Sequence, residues 1–127
     1  MSSLQDDLFN FLMAQDGIVA LAGDRCYRVT PPQEPPAYPC LSYFRVSVTP
    51  EYTHDGENDL LPQHFQISCW ATSQPDAEAL ARAVRLAMRG WKAAYNQPAF
   101  FLNQVTVPQP ETGIYHETLD FEVWHKE

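Results

Sequence analysis

Between residues 64 and 71 apolar and polar positions alternate strictly. Phe65, Ile67, Cys69 and Ala71 fall on one side, and His64, Gln66, Ser68 and Trp70 on the other, the signature of a strand with one buried face. A few residues later the period changes. Ala77, Leu80, Ala81, Val84, Ala87 and Met88 recur at helical spacing, with Asp76, Glu78, Arg82, Arg85 and Arg89 mostly off that stripe, as in a helix with one face on a core. Ser73, three residues before Asp76, and Pro75 in the first turn mark its start, and Gly90 its stop. Acids lie early and arginines late, as the helix dipole favours.

The flanking segments read in the same terms. Leu4, Leu8, Phe11 and Leu12 make the stripe of an N-terminal helix that Ser2 or Ser3 can cap and that ends near Asp16 and Gly17. Residues 18–22 add an apolar turn closed by Gly23 and packed on that helix. Residues 25–29 read as a short strand. Residues 40–48 read as a longer one, with Phe44, Val46 and Val48 on one side and Leu41, Tyr43, Arg45 and Ser47 on the other. Residues 99–107 form a further strand. The last runs from Ile114 to His125, with Tyr115, Leu119, Phe121 and Val123 inward and Thr118, Asp120, Glu122 and Trp124 outward. Five prolines between positions 31 and 39 exclude helix and central strand there, and the Tyr38–Pro39 bond is a natural place for a cis peptide. Residues 49–62 are polar and acidic, the long tip of a hairpin joining its two flanking strands.

These elements predict one α+β domain over residues 1–127: a small, mixed, mainly antiparallel sheet of about five strands, packed against one long helix and an N-terminal helix. Strand, helix and strand from 64 to 107 allow a right-handed crossover. At 127 residues such a domain buries roughly two thirds of its unfolded surface and folds without disulfides or metal.

The net charge of −8 argues against gripping nucleic acid through its phosphates, which requires Lys and Arg, although a lumen through which DNA merely slides tolerates this sign. Three cysteines, Cys26, Cys40 and Cys69, without a basic and apolar leader pattern at the start, read as reduced cytosolic thiols. No apolar run approaches the ~20 residues of a membrane helix.

The sequence carries no motif for chemistry. The four histidines, His54, His64, His116 and His125, lack metal-ligand spacing, and the cysteines lack a C-x-x-C pair. Five glycines supply no nucleophile elbow, phosphate loop or dinucleotide fingerprint. No catalytic, metal or cofactor residue is assigned, and the chain is read as a non-enzyme. Trp70 and Trp124 are the informative pair, because both fall on polar strand faces. Either another part of the chain covers them or they touch a partner. Tyr52, Asp55, Glu57 and Asp59 in the acidic tip are read either as solvated or as a docking arm.

In order along the chain stand Asp16-Gly17-Ile18-Val19-Ala20-Leu21-Ala22-Gly23-Asp24-Arg25-Cys26-Tyr27, then Pro39-Cys40-Leu41-Ser42-Tyr43-Phe44-Arg45-Val46, then Phe65-Gln66-Ile67-Ser68-Cys69-Trp70-Ala71 leading into the 77–88 helix, and Leu119-Asp120-Phe121-Glu122-Val123-Trp124-His125. In these stretches the sequence resembles the tail-completion, or tail-terminator, proteins of long-tailed phages and prophages. It departs from them in its cysteines at 26, 40 and 69 and in its proline-rich 31–39 loop. The resemblance implies a small sheet packed on helices and a non-enzymatic role in the virion, with assembly in the host cytoplasm. It implies a ring, typically of six copies, that caps the tail tube, stops its polymerisation and meets the head connector. The implied partners are copies of itself, the tail-tube protein and the head–tail connector, without specific nucleic-acid binding, membrane or cofactor. A ring closes through a heterologous contact between two different patches, for which Trp70, Trp124 and the acidic tip (Tyr52, Asp55, Glu57, Asp59) are the candidates. The alternatives are another neck component, or a small α+β ligand-binding or enzymatic domain.

Overall fold

The computed structural model describes residues 4–28, 38–48, 52–53, 56–57, 60–91, 99–107 and 113–126. Among the described residues three helices, α1 (Leu4–Met13), α2 (Asp16–Ala22) and α3 (Gln74–Met88), accompany seven strands. These are β1 (Cys26–Arg28), β2 (Cys40–Val48), β3 (Tyr52–Thr53), β4 (Gly56–Glu57), β5 (Leu60–Ala71), β6 (Ala99–Val107) and β7 (Tyr115–Lys126). Five form one sheet in the order β1-β2-β5-β7-β6, and β3 and β4 make a separate two-stranded ribbon. β1 lies parallel to β2, and every other neighbour in the main sheet is antiparallel. The α+β class and the mixed, mainly antiparallel sheet expected from the pattern are therefore those observed.

The helices start and stop for local reasons. α1 ends at Met13, sooner than the sequence pattern suggests, because Gln15 turns its amide Nε2 back onto the Phe11 carbonyl at 3.1 Å and a new helix opens at Asp16. The expected serine cap lies outside the described residues. Gly23 closes α2 at φ 59°, the left-handed region that glycine enters without a side-chain clash, and its N–H reaches the Val19 carbonyl at 2.8 Å. The start of α3 agrees with the sequence: Ser73 is extended, its hydroxyl accepts from the Asp76 N–H, and Pro75 sits in the first turn.

All three helices pack on one face of the sheet. Leu4, Leu8, Phe11, Leu12, Ile18, Leu80, Ala81, Val84 and Met88 share a single core with Leu41, Tyr43, Phe65, Ile67, Cys69, Leu119, Phe121 and Val123. Trp91, fully buried just past α3, meets Phe11 edge-on at 5.2 Å and ties the two ends of the helical layer together. β5 and β6 run parallel with β7 threaded between them, so the α3 crossover spans a strand that the chain adds last. The Tyr38–Pro39 peptide is cis. Pro62, an awkward residue in a central strand, falls where β5 pairs only with β7, since the β2 pairing begins at Gln63.

Two register shifts change the faces that strict alternation assigns. In β2 the shift lies between Arg45 and Ser47, and in β6 between Phe101 and Asn103. Both sit at the level of the Phe65–Phe121 pair. Each inserts one residue, Val46 or Leu102, and reverses the side on which the later residues of its strand lie. Ser47 therefore pairs with His64 on the face that Phe44 occupies, rather than sharing a side with Leu41 and Tyr43 as the simple alternation predicts.

Candidate assembly surfaces

The sheet face opposite the helices takes from β5 and β7 the positions that alternation assigned as polar, and from β2 and β6 it adds Cys40, Phe44, Phe100, Val105 and Val107. Its rows are set by register: Cys40, Trp70, His116 and Val107; then Ser42, Ser68, Thr118 and Val105; then Phe44, Gln66, Asp120 and Asn103; then Ser47, His64, Glu122 and Phe100. Trp70 is half-buried and lies flat on His116, with ring centroids 3.6 Å apart and planes inclined by 12°, while its Nε1 donates to Ser42 Oγ at 3.2 Å. Trp124, also half-buried, stands opposite Pro62 eight residues further along β7. At ~3.3 Å per residue the two register rows lie about 26 Å apart along β7. The structure thus puts both tryptophans on one face and at opposite ends of it. Tyr52 and Glu57 face each other in the β3–β4 ribbon, and Asp55 and Asp59 lie outside the described residues.

Sequence reasoning missed a different apolar surface. β6 is an edge strand whose Phe100, Phe101, Leu102 and Val105 are 50, 44, 52 and 43% exposed. Its sequence, AFFLNQVTV, contains no charged residue, and an uncharged, nine-residue edge with an open row of backbone groups is a template for association. The signal was present as the unbroken run Ala99-Phe100-Phe101-Leu102, which fits a buried strand by composition and is exposed because, among the described residues, no strand pairs with its outer edge.

Among the described residues, polar side chains form two hydrogen-bonded clusters. On the middle of the second face, His64 Nε2 meets Asp120 Oδ1 at 3.0 Å, and Gln66 Nε2 donates to the same oxygen at 3.3 Å. Ser47, opposite His64, lines a cleft of about 260 Å³ with Pro62, His64, Leu102 and Glu122. No hydrogen bond joins Ser47 to His64 among the described residues, so the link that would activate a serine nucleophile is not formed. Beneath α3, Glu117 is 1% exposed and accepts from Gln104 Nε2 at 2.8 Å and Gln74 Nε2 at 3.3 Å. Gln104 Oε1 in turn accepts from Arg85 Nη1 at 2.8 Å. That chain of bonds satisfies a carboxylate on the core side of the sheet.

The three thiols are buried and free. Burial, reinforced by the neighbouring Cys40, pushes Cys26 up to about 12, and burial, partly offset by Arg25, pushes Cys40 up to about 11. Burial also raises Cys69, with Glu117 adding to the effect. Neutral thiols of this kind are poor nucleophiles and poor metal ligands. Among the described residues no group of three or more His, Cys, Asp or Glu side chains is placed to hold a metal ion, and no helix is long and apolar enough to cross a membrane.

With this geometry in hand, comparison with known proteins is informative. The family model described as "Tail completion protein gp17" matches residues 6–126, nearly the whole chain. Among solved structures, a chain of the assembly titled "Virion of native gene transfer agent (GTA) particle" superposes with a TM-score of 0.80 at 22% identity, covering 98% of this chain and 96% of that one. That likeness shows the same fold. No curated protein matches the sequence.

Proposed function

The chain belongs to the tail completion protein gp17 family, a family of phage tail structural proteins, and from that premise we propose that it is a tail terminator. In this reading copies of the chain close into a ring, six in number, that caps the finished tail tube, stops its polymerisation and presents a surface to the head connector. The ring assembles in the host cytoplasm and stays in the virion. The tail-tube protein and the head–tail connector are its partners, and it carries out no catalysis.

The observation that carries the proposal, beyond family membership, is the uncharged apolar edge at β6. A monomer gains nothing from exposing Phe100, Leu102 and Val105 on an open strand, whereas a ring covers them. A closed ring uses two unlike patches on each copy. β6 is one, and Trp70, Trp124 and the acidic ribbon remain the candidates for the other. The net charge of −8 per copy suits a passage that DNA crosses without being held.

Electron microscopy of particles produced without this chain tests the role. Tails of uncontrolled length, or finished tails unable to join heads, are expected. Normal tails on normal heads would overturn the proposal, and tails of correct length that merely fail to join would assign the chain to another neck component.

A further inference from the structure

A groove lies between the C-terminal half of α3 and the β6 edge. Met88, Ala99, Phe101 and Phe121 make its apolar floor, Arg85 and Arg89 stand on its rim, and its volume is about 220 Å³. Arg85 is held in place twice: Nη1 donates to Gln104 Oε1, and the guanidinium carbon stands 5.9 Å from the centre of the Phe101 ring. Arg89 is exposed at the C-cap of α3. Among the described residues no carboxylate pairs with either arginine, although the chain carries twice as many acids as bases. An arginine pair over an aromatic floor suits a ligand that offers an aromatic or aliphatic side chain beside a carboxylate.

The chain itself contains such a segment. Between Thr49 and Pro62 stand four acids, Glu51, Asp55, Glu57 and Asp59, and no Lys or Arg. Within it the β3–β4 ribbon forms a sheet of its own, apart from the main one, and its register sets Tyr52 opposite Glu57.

We infer that the α3–β6 groove receives the acidic β3–β4 ribbon of a second copy of this chain, with Arg85 and Arg89 meeting its carboxylates and Phe101 its aromatic side chain. The inference rests on the ring reading and supplies the two unlike patches that reading requires, one basic and concave, the other acidic. Charge complementarity selects this occupant, because the overall charge of the chain opposes self-association everywhere except where its few bases meet its acid-rich segment.

Charge reversal, followed by sedimentation velocity across a concentration series, tests the contact. Glu57→Arg lowers the net negative charge of each copy by two units, so general repulsion alone would strengthen assembly. The groove contact predicts the opposite, a rise of about tenfold or more in the concentration needed for half-assembly. Arg89→Glu weakens assembly likewise, and the double variant Arg89→Glu/Glu57→Arg, whose net charge equals that of the unaltered chain, recovers it. Thermal unfolding of each variant confirms that the monomers remain folded at the assay temperature. Glu57→Arg assembling as well as the unaltered chain, or the double variant assembling worse than either single one, would overturn the groove contact while leaving the ring intact. An unaltered chain that stays monomeric throughout would overturn both.

Discussion

Trp70 and His116 stack face to face across the β5–β7 pair at 3.6 Å, and the indole is anchored at its other end by Ser42 Oγ. Trp70 is therefore engaged within its own monomer while remaining half-exposed. Removing the ring forfeits the aromatic contact, about 0.5–1.5 kcal/mol, and the hydrogen bond, about 1 kcal/mol. Trp70→Ala is expected to lower the thermal midpoint by roughly 6–10 °C in a domain of this size, and its effect on assembly has to be read below that transition. Trp70→Phe keeps the stack and loses only the hydrogen bond, so differential scanning calorimetry should place it between the two.

The same stack predicts a pH dependence. Desolvation, partly opposed by the adjacent Glu117, lowers the His116 pKa, and both ring nitrogens lack a hydrogen-bond partner among the described residues. The folded state thus favours the neutral ring. The unfolded chain, with an ordinary histidine pKa near 6.5, binds the proton first as pH falls, so this residue's contribution to stability is complete above about pH 7 and is lost below 6.5 as pH descends toward the folded-state pKa. Urea midpoints measured from pH 7.5 to 5.5 should fall for the unaltered protein, and the fall should be shallower in His116→Phe, which keeps a flat ring over Trp70. Identical slopes would show that other groups carry the pH dependence.

Glu117 offers a sharper stability test. Its carboxylate accepts two amide hydrogen bonds inside the sheet–helix interface, and Gln104 passes the connection on to Arg85. Truncation removes the acceptor of both amides; Gln74 Nε2 keeps its second acceptor, Glu78 Oε1 at 3.1 Å, whereas Gln104 Nε2 loses the Glu117 carboxylate at 2.8 Å, and hydrogen bonds to a charged group contribute about 1.5–3 kcal/mol each. Glu117→Ala is expected to destabilise the monomer by about 2–4 kcal/mol in chemical unfolding. Gln104→Ala, which leaves Gln74 still bonded to Glu117, is expected to cost less. A Glu117→Ala protein as stable as the parent would mean that the network merely tolerates a buried acid.

The fold was largely legible because its signals are local and periodic. The Ser73 cap, the α3 stripe and the alternation of β5 each rest on a few consecutive residues, and all appear as read. What escaped depends on neighbours. Nothing in Arg45-Val46-Ser47 or Phe101-Leu102-Asn103 announces an inserted residue, because a register shift is a property of two strands paired together. Glu117 carries no signal of its own in the sequence, since its partners Gln74 and Gln104 come from α3 and β6. The tryptophans stood out as apolar residues on a polar face. The exposed run on β6 did not, because its composition matches a buried strand and only the sheet order shows that it forms an edge.

That edge yields the last prediction. Among the described residues β6 pairs with β7 alone, presents Phe100 and Leu102 about half-exposed, and has no charge along its length. The bulge after Phe101 interrupts the flat row of backbone groups that another strand would need. If the edge is solvent-facing in the working protein, lysines at Phe100 and Leu102 should change little beyond the few tenths of a kcal/mol typical of surface substitutions. If the edge is covered in the assembly, each lysine must be desolvated opposite an apolar partner, and a single buried, unpaired ammonium is enough to abolish a contact of ordinary size. Phe100→Lys/Leu102→Lys is therefore expected to leave the monomer's thermal midpoint within about 3 °C of the parent and to shift the species seen by light scattering from ring to monomer. Rings of unchanged mass from this variant would place the β6 edge outside the subunit contact.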